Sequence, residues 1–491
     1  MSVSPQPATV PLRHSTRVAG LLAIAWLLLW LAGYPRPNVD DSFFAGAAAH
    51  LAATGHLANP WIAGWMGYLP GVHADKFLVQ PPLYPVILAG WIKFVGLSAA
   101  SLTGFACLLG GFASLALWWL FFRLTAMPSA AWLAAGVGGG WLLFRGLRPE
   151  MLALGLAAAS QLCLLAGTPT AWLAGGALGA AAVVAHPFWL VFVVPGALLA
   201  LVIRRRDPRP IARVGAMAAG VGLVAGGLAL GLRGNFVDFV HDLLAHARFV
   251  APADGRLASF LAHYLVGYDG WRNLVLLALA VAGVVACGGK PVAVIAGSAG
   301  VLALSFLLYA AQSATVVMLC TALVPLVLNG SSFGWRRWLC LAPAALLLAS
   351  FGVQHLLQWL ADRRHDVRPY GGEVAAYLAA AHPEQVLFDA GTLRTVFDYR
   401  PPEGAMDLAW AWSPGRSDRW RSPVQLAPRD LWVVAPAWSH RQLPAEARRE
   451  RLVLLGHTFD SVHTSRSLLL VTGSALPAPA GLPFLRSPRV P

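Results

Sequence analysis

The chain has 491 residues, of which 57% are hydrophobic and only 12% charged, and its mean hydropathy is +0.62. A soluble domain carries roughly 25% charged residues, so this composition excludes one and points to a polytopic membrane protein. The formal charge of +14 does not indicate a nucleic-acid partner. Much of the excess sits in short clusters between apolar runs (Arg13 with Arg17, "RRRDPRPIAR" at 204–213, "WRR" at 335–337), which is the pattern of cytoplasmic loops.

A helix needs about 20 apolar residues to cross a bilayer. In chain order the candidate crossings centre on 18–34, 98–121, 129–145, 150–166, 171–185, 187–203, 211–230, 271–287, 291–309, 314–328 and 339–357. The residues before Arg13 are polar and Pro-rich, and no small-residue cleavage site follows the first run, so that run reads as a retained span. The segment "PPLYPVILAGWIKFVG" (81–96) is apolar but short and carries Lys93. With the N-terminus inside and 81–96 shallow or re-entrant, Arg123, Arg204–Arg213, Lys290 and Arg336–Arg337 all face the cytoplasm. If 81–96 crossed and nothing else changed, they would all face outward. The positive-inside rule therefore predicts eleven crossings.

Three stretches then face outward: 35–80, 231–270 and everything beyond about 358. The predicted fold class is mainly α, a polytopic transmembrane helical bundle spanning 1–357, followed by a small α/β extracytoplasmic domain over 358–491. The tail alternates a helical run ("GGEVAAYLAAA"), strand-like runs ("QVLFDA", "DLWVVAP", "SLLLVTG") and a charged helix ("PAEARRERLVLLG"), and ends in a loose Pro-rich stretch. All five cysteines lie inside apolar runs, so neither disulfides nor Cys-based metal sites are expected.

Lipid excludes ionisable groups that have no function, so the acids of the membrane module are the candidates for chemistry. Before 358 they are Asp40, Asp41, Asp75, Glu150, Asp207, Asp238, Asp242, Asp254 and Asp269; Asp207 lies in the cytoplasmic Arg cluster and the others map outward. Glu150 is isolated in "FRGLRPEMLALG", where it either pairs with Arg148 or belongs to a site. An outer site at the lipid–water boundary suits a substrate with a lipid tail and a charged head. Arg148, Arg248, Arg256 and Lys76 are candidate phosphate contacts, since guanidinium forks match phosphate oxygens; each could instead be a snorkelling interface residue. His186 in "VVAHPFWL" could bind phosphate or metal, or simply cap a Pro-started helix. The helix 235–249, "NFVDFVHDLLAHARF", puts Asp238, Asp242 and Ala245 on one stripe and His246 and Arg248 at its end, where either could meet a phosphate. A solvated amphipathic face is the alternative.

The Asp40–Asp41 pair precedes "SFFAGAAAHLAATGHL", whose Phe44, Ala47, Ala48 and Leu51 are spaced for a surface-lying helix. Asp41 or Ser42 is placed to cap it, leaving Asp40 free to point into a cavity.

Four motifs in order, "VDDSFFAGAAAHLAATGHL", "QPPLYPVILAGWIKFVG", "RGLRPEML" and "GNFVDFVHDLLAHARF", resemble the outer-loop motifs of family 39 type glycosyltransferases with the C-type membrane fold. That group includes protein mannosyltransferases and lipid A aminoarabinose transferases. Two departures are visible: Val79-Gln80 stands where aminoarabinose transferases carry a basic residue before PP, and the second acid of the pair is Asp rather than Glu. The resemblance implies transfer of a sugar from a polyprenyl-phosphate donor to a lipid, glycan or protein hydroxyl, at the outer face of the inner membrane. Asp40 takes the place of the catalytic base, with Asp41 and Glu150 as supporting acids. Asp40 and Glu150 offer hard oxygen ligands for a divalent cation, Mg²⁺ or Mn²⁺, and no Cys/His spacing suggests zinc. Two rival readings are a lipid-linked saccharide transporter or flippase and a non-catalytic sensor or assembly protein. The acid pair in a large first outer loop, the sizeable tail and the lack of repeated halves disfavour the transporter.

Overall fold

The computed structural model describes residues 12–38, 40–65, 71–73, 75–204, 210–250, 270–289, 291–308, 313–328, 337–364 and 368–407. It also describes the strand segments 431–434, 452–454, 457–459, 461–464 and 469–472. Its helices in chain order are α1 (Leu12–Leu31), α2 (Asp41–Thr54), α3 (Leu83–Val95), α4 (Ala99–Thr125), α5 (Pro128–Leu142), α6 (Glu150–Ala166), α7 (Pro169–Ala185), α8 (Leu190–Ile203), α9 (Pro210–Leu232), α10 (Phe236–Val250), α11 (Gly270–Ala286), α12 (Pro291–Leu308), α13 (Ser313–Leu328), α14 (Arg337–Arg364), α15 (Gly371–Ala381) and α16 (Ala390–Thr395). Every expected crossing coincides with one of these apolar helices. Among the described residues, 99–125, 210–232 and 338–360 are long and apolar enough to cross a bilayer by length and composition.

By contacts the chain divides into two compact units interleaved in sequence. The first comprises Met1–Tyr34, Ala106–Leu143 and Pro149–Val353; the second comprises Pro35–Phe105, Phe144–Arg148 and Gln354–Pro491.

The first unit is built from helix packing suited to lipid. Small residues let backbones approach where no hydrophobic effect drives helices together. A Cβ on Gly176 of α7 would strike the Met217 carbonyl of α9, and one on Gly220 would meet the Leu173 carbonyl and, at 2.7 Å, the Ala177 nitrogen. Away from this seam α9 exposes Ile211, Val214, Val221, Leu223 and Leu230, an apolar face suited to lipid or protein contact. Trp26 of α1 lies against Gly110 and donates its Nε1–H to Ser114 Oγ at 3.2 Å. An apolar cavity of ≈ 200 Å³ lies among Leu117, Phe121, Leu154, Trp189, Phe192 and Leu323.

In the second unit, α2 packs on α3 through the edge-on pair Phe44–Tyr84, with ring centroids 5.6 Å apart. Its first eight residues, Asp41–Ala48, are all buried, so α2 is not the surface-lying helix that its spacing suggested. The helix is enclosed over its first two turns and reaches the surface at Ala53 and Thr54. Beyond α14 a five-stranded sheet has the order β2-β1-β3-β7-β6. Here β1 is Val386–Phe388, β2 Met406–Asp407, β3 Leu431–Val434, β6 Ser461–Thr464 and β7 Leu469–Thr472. Strand β1 runs parallel to β2 and β3, while β7 is antiparallel to β3 and β6. Leu387, Phe388 and Val433 of the sheet, Val374 and Tyr377 of α15 and Leu393 of α16 are all buried. Asp389 and Thr392 form a capping box that starts α16 directly after β1. Of the charged helix expected over 444–456, Leu452–Leu454 is instead strand β4, antiparallel to β5 (His457–Phe459). Residues 444–451 and the C-terminal stretch lie outside the described residues.

Candidate active site

The site grows from the start of α2. Asp40 occupies the N-cap position with φ −91° and ψ 1°, but its side chain makes no capping hydrogen bond. The expectation that Asp41 or Ser42 caps the helix also fails, because both side chains are engaged by other segments. Ser42 Oγ donates to the Asp407 carboxylate in β2. Asp41 Oδ1 accepts the Leu147 N–H at 2.9 Å, and its Oδ2 accepts the Tyr399 hydroxyl at 2.9 Å. The Asp40 carboxylate forms an ion pair with Arg148. Asn38 braces the same corner: its Oδ1 accepts the Asp40 N–H at 3.1 Å and its Nδ2 donates to the Phe144 carbonyl at 3.2 Å.

Both carboxylates therefore grip the short connection 144–148 between α5 and α6. That connection can come so close because of Gly146, whose φ is +58°; a Cβ there would overlap the Asp41 carboxylate and lie 2.8 Å from Asn38 N. From the C-terminal side, Arg394 donates through Nη1 to the Pro35 carbonyl at 2.6 Å.

Burial separates the two acids. Asp41 is 1% exposed, whereas Asp40 keeps 9% of its surface accessible. Burial pushes the Asp41 carboxyl up from 3.8 to about 7, against the pull of the Leu147 N–H, the Tyr399 hydroxyl, the Asn38 N–H and the Arg394 charge. The Tyr399 phenol is raised well above 10.0, by burial first and then by the Asp41 carboxylate.

The other sequence candidates are placed as follows. Glu150 is buried, 2% exposed, in the first turn of α6, where the helix dipole favours a carboxylate. Lys76 is half-buried in the tight turn closed by the Val72–Phe77 bridge. His186 ends α7 with φ −157° and sits at the N-cap of a 3-10 turn at Pro187–Trp189, where its side chain makes no capping hydrogen bond. On α10, Asp238 and Asp242 lie one helical turn apart, Asp238 exposed and Asp242 buried with His241 Nδ1 3.4 Å from its carboxylate. That helix exposes Val237, Val240 and Leu244. The side chains of His246 and Arg248, and all of Arg256, lie outside the described residues.

The Asp40 carboxylate is engaged by a guanidinium, and no three His, Cys, Asp or Glu residues gather to hold a metal among the described residues. Tyr399, Arg394, Asp407 and Asn38 escaped the sequence reading. Only the run "FDYRPPEGAMD", with polar and aromatic residues before a proline pair, hinted at a fixed turn there.

No family model matches the sequence, and no curated protein matches it. Among solved structures the chain matches the crystal structure of ArnT from Cupriavidus metallidurans bound to undecaprenyl phosphate. Identity is 15%, the TM-score is 0.37, and the match covers 96% of this chain and 100% of that one.

Proposed function

We propose that this protein is a C-type membrane glycosyltransferase. It moves a sugar from a polyprenyl-phosphate carrier to a hydroxyl of a lipid, glycan or protein acceptor, at the outer face of the cytoplasmic membrane. The observation that carries this reading is the partly accessible Asp40 carboxylate paired with Arg148, in a chain built largely of apolar helices. An acid–guanidinium pair is costly to desolvate and is kept where it does chemistry.

In the proposed reaction the acceptor oxygen attacks the anomeric carbon and its proton passes to Asp40. The bond from that carbon to the phosphate oxygen breaks, and the bonding pair leaves with the polyprenyl phosphate. Arg148 stands beside the base and is placed to share its fork with the anionic leaving group. Asp41, enclosed and fully engaged, holds the frame. Glu150 is assigned to orienting the acceptor and Lys76 to the donor phosphate, both on the motif resemblance.

The test is release of labelled sugar from polyprenyl-phosphate sugar by purified protein. Asp40→Asn is expected to abolish release, on the order of 10³-fold or more, with donor binding retained. Transbilayer movement of the donor without sugar release would instead support a transporter.

A further inference from the structure

The segment after α16 turns in a costly conformation. Asp398 and Tyr399 are consecutive non-glycine residues with φ of +50° and +57°. Each disfavours the left-handed region by roughly 1–2 kcal/mol, and such strain persists only where surroundings over-determine it. Here they do. The Tyr399 N–H bonds the Leu393 carbonyl at 2.9 Å and the Arg400 N–H bonds the Phe397 carbonyl at 2.8 Å. The Asp398 carboxylate accepts the Ala99 N–H at 2.6 Å, and Arg400 Nε donates to the Leu97 carbonyl at 2.7 Å. The residues on either side of Tyr399 are thus tied to the chain entering α4. Tyr399 itself, 1% exposed, is driven inward with its hydroxyl on Asp41 Oδ2.

We propose that Tyr399 is a positioning residue for the acid pair. Its hydroxyl fixes the Asp41 carboxylate, Asp41 fixes the Leu147 N–H, and the adjoining Arg148 is thereby set on Asp40. The C-terminal segment completes the site in this way without touching substrate, and the inference rests on the reading of Asp40 as the base. The groups facing Asp41 are the Leu147 and Asn38 amides, Tyr399 and Arg394, with Asp40 and Arg148 alongside; only Tyr399 reaches it from the strained turn. A buried tyrosine needs a partner for its hydroxyl, but nothing in packing alone requires two left-handed residues to deliver it to a carboxylate.

Tyr399→Phe keeps the ring and removes the bond, so the full-length protein is expected to fold. Its kcat for sugar release should fall about tenfold with donor Kd unchanged. In an Asp41→Asn background the same change should have no further effect, because Tyr399 acts through Asp41. Additive losses in that double-mutant cycle, or a loss confined to donor Kd, would overturn the proposal. A second readout needs no activity. The carboxylate stretch of Asp41 in infrared difference spectra, assigned by its disappearance in Asp41→Asn, should shift in Tyr399→Phe. An unmoved band overturns the inference by itself. A shifted band together with an active Asp40→Asn protein would retain the contact and sink the Asp40 reading, and with it the positioning role.

Discussion

Asp40 and Asp41 are covalent neighbours with opposite surroundings, because the start of a helix sends successive side chains in different directions. Asp40 reaches Arg148 near accessible surface, while Asp41 is enclosed by the Leu147 amide and the Tyr399 hydroxyl. The second arrangement has a pH consequence. The Asp41 carboxyl is raised from 3.8 to about 7, so the folded state holds a proton that the unfolded chain releases. Stability from this group is fully present below about pH 4 and is lost as pH rises through about 7. Asp41→Asn copies the protonated shape and should flatten the pH dependence of thermal unfolding between these limits; a wild-type slope in the variant would contradict the assignment. The pair itself was legible in the sequence, because two adjacent acids in an acid-poor chain have few structural reasons to exist. Their division of labour was legible only in part. Exposure of Asp40 follows from its place before the helix, but the partners of Asp41 come from residues 106 and 358 positions away, which no local spacing encodes.

At the scale of elements, the connection 144–148 depends on one glycine. Gly146 has φ +58° and lies against the Asp41 carboxylate. Gly146→Ala should cost roughly 1–2 kcal/mol from the backbone alone, with side-chain overlap added, and should lower the melting temperature and sugar release together. Melting unchanged from wild type would mean that the connection tolerates another path. The helices of the first unit were readable as apolar runs, and 99–125, 210–232 and 338–360 are also long enough to cross a bilayer. The tail was harder. "RLVLLG" is a short apolar run whose period does not distinguish helix from strand, and Leu452–Leu454 pairs as β4 with β5. Helix α2 was read correctly as a helix and wrongly as a surface one: alanine-rich sequence specifies helicity, while only tertiary packing decides which sides are covered.

At the scale of the whole molecule, contacts constrain how often the chain crosses the membrane. Asp40 lies in the first outer stretch and Arg148 between α5 and α6, and their side chains form an ion pair. If α4 and α5 both cross, these residues share a side only when α3 does not. Helix α3 has thirteen residues, about 20 Å at 1.5 Å per residue, against a hydrocarbon core of about 30 Å. The contact between Asp41 and Tyr399 applies the same condition further along. Between them lie α4 to α9 and α11 to α14, an even number of candidate crossings, so both ends return to one side. The loop arginines choose which side that is. An inside N-terminus puts Arg123 and the 204–213 cluster in the cytoplasm and the acid pair outside, where the proposed donor would be used. A reporter that is active only in the cytoplasm should therefore be silent when fused after residue 491 and active when inserted at 205–209. One that is active only outside should give the converse. Cytoplasmic activity at the C-terminus would contradict the eleven-crossing topology.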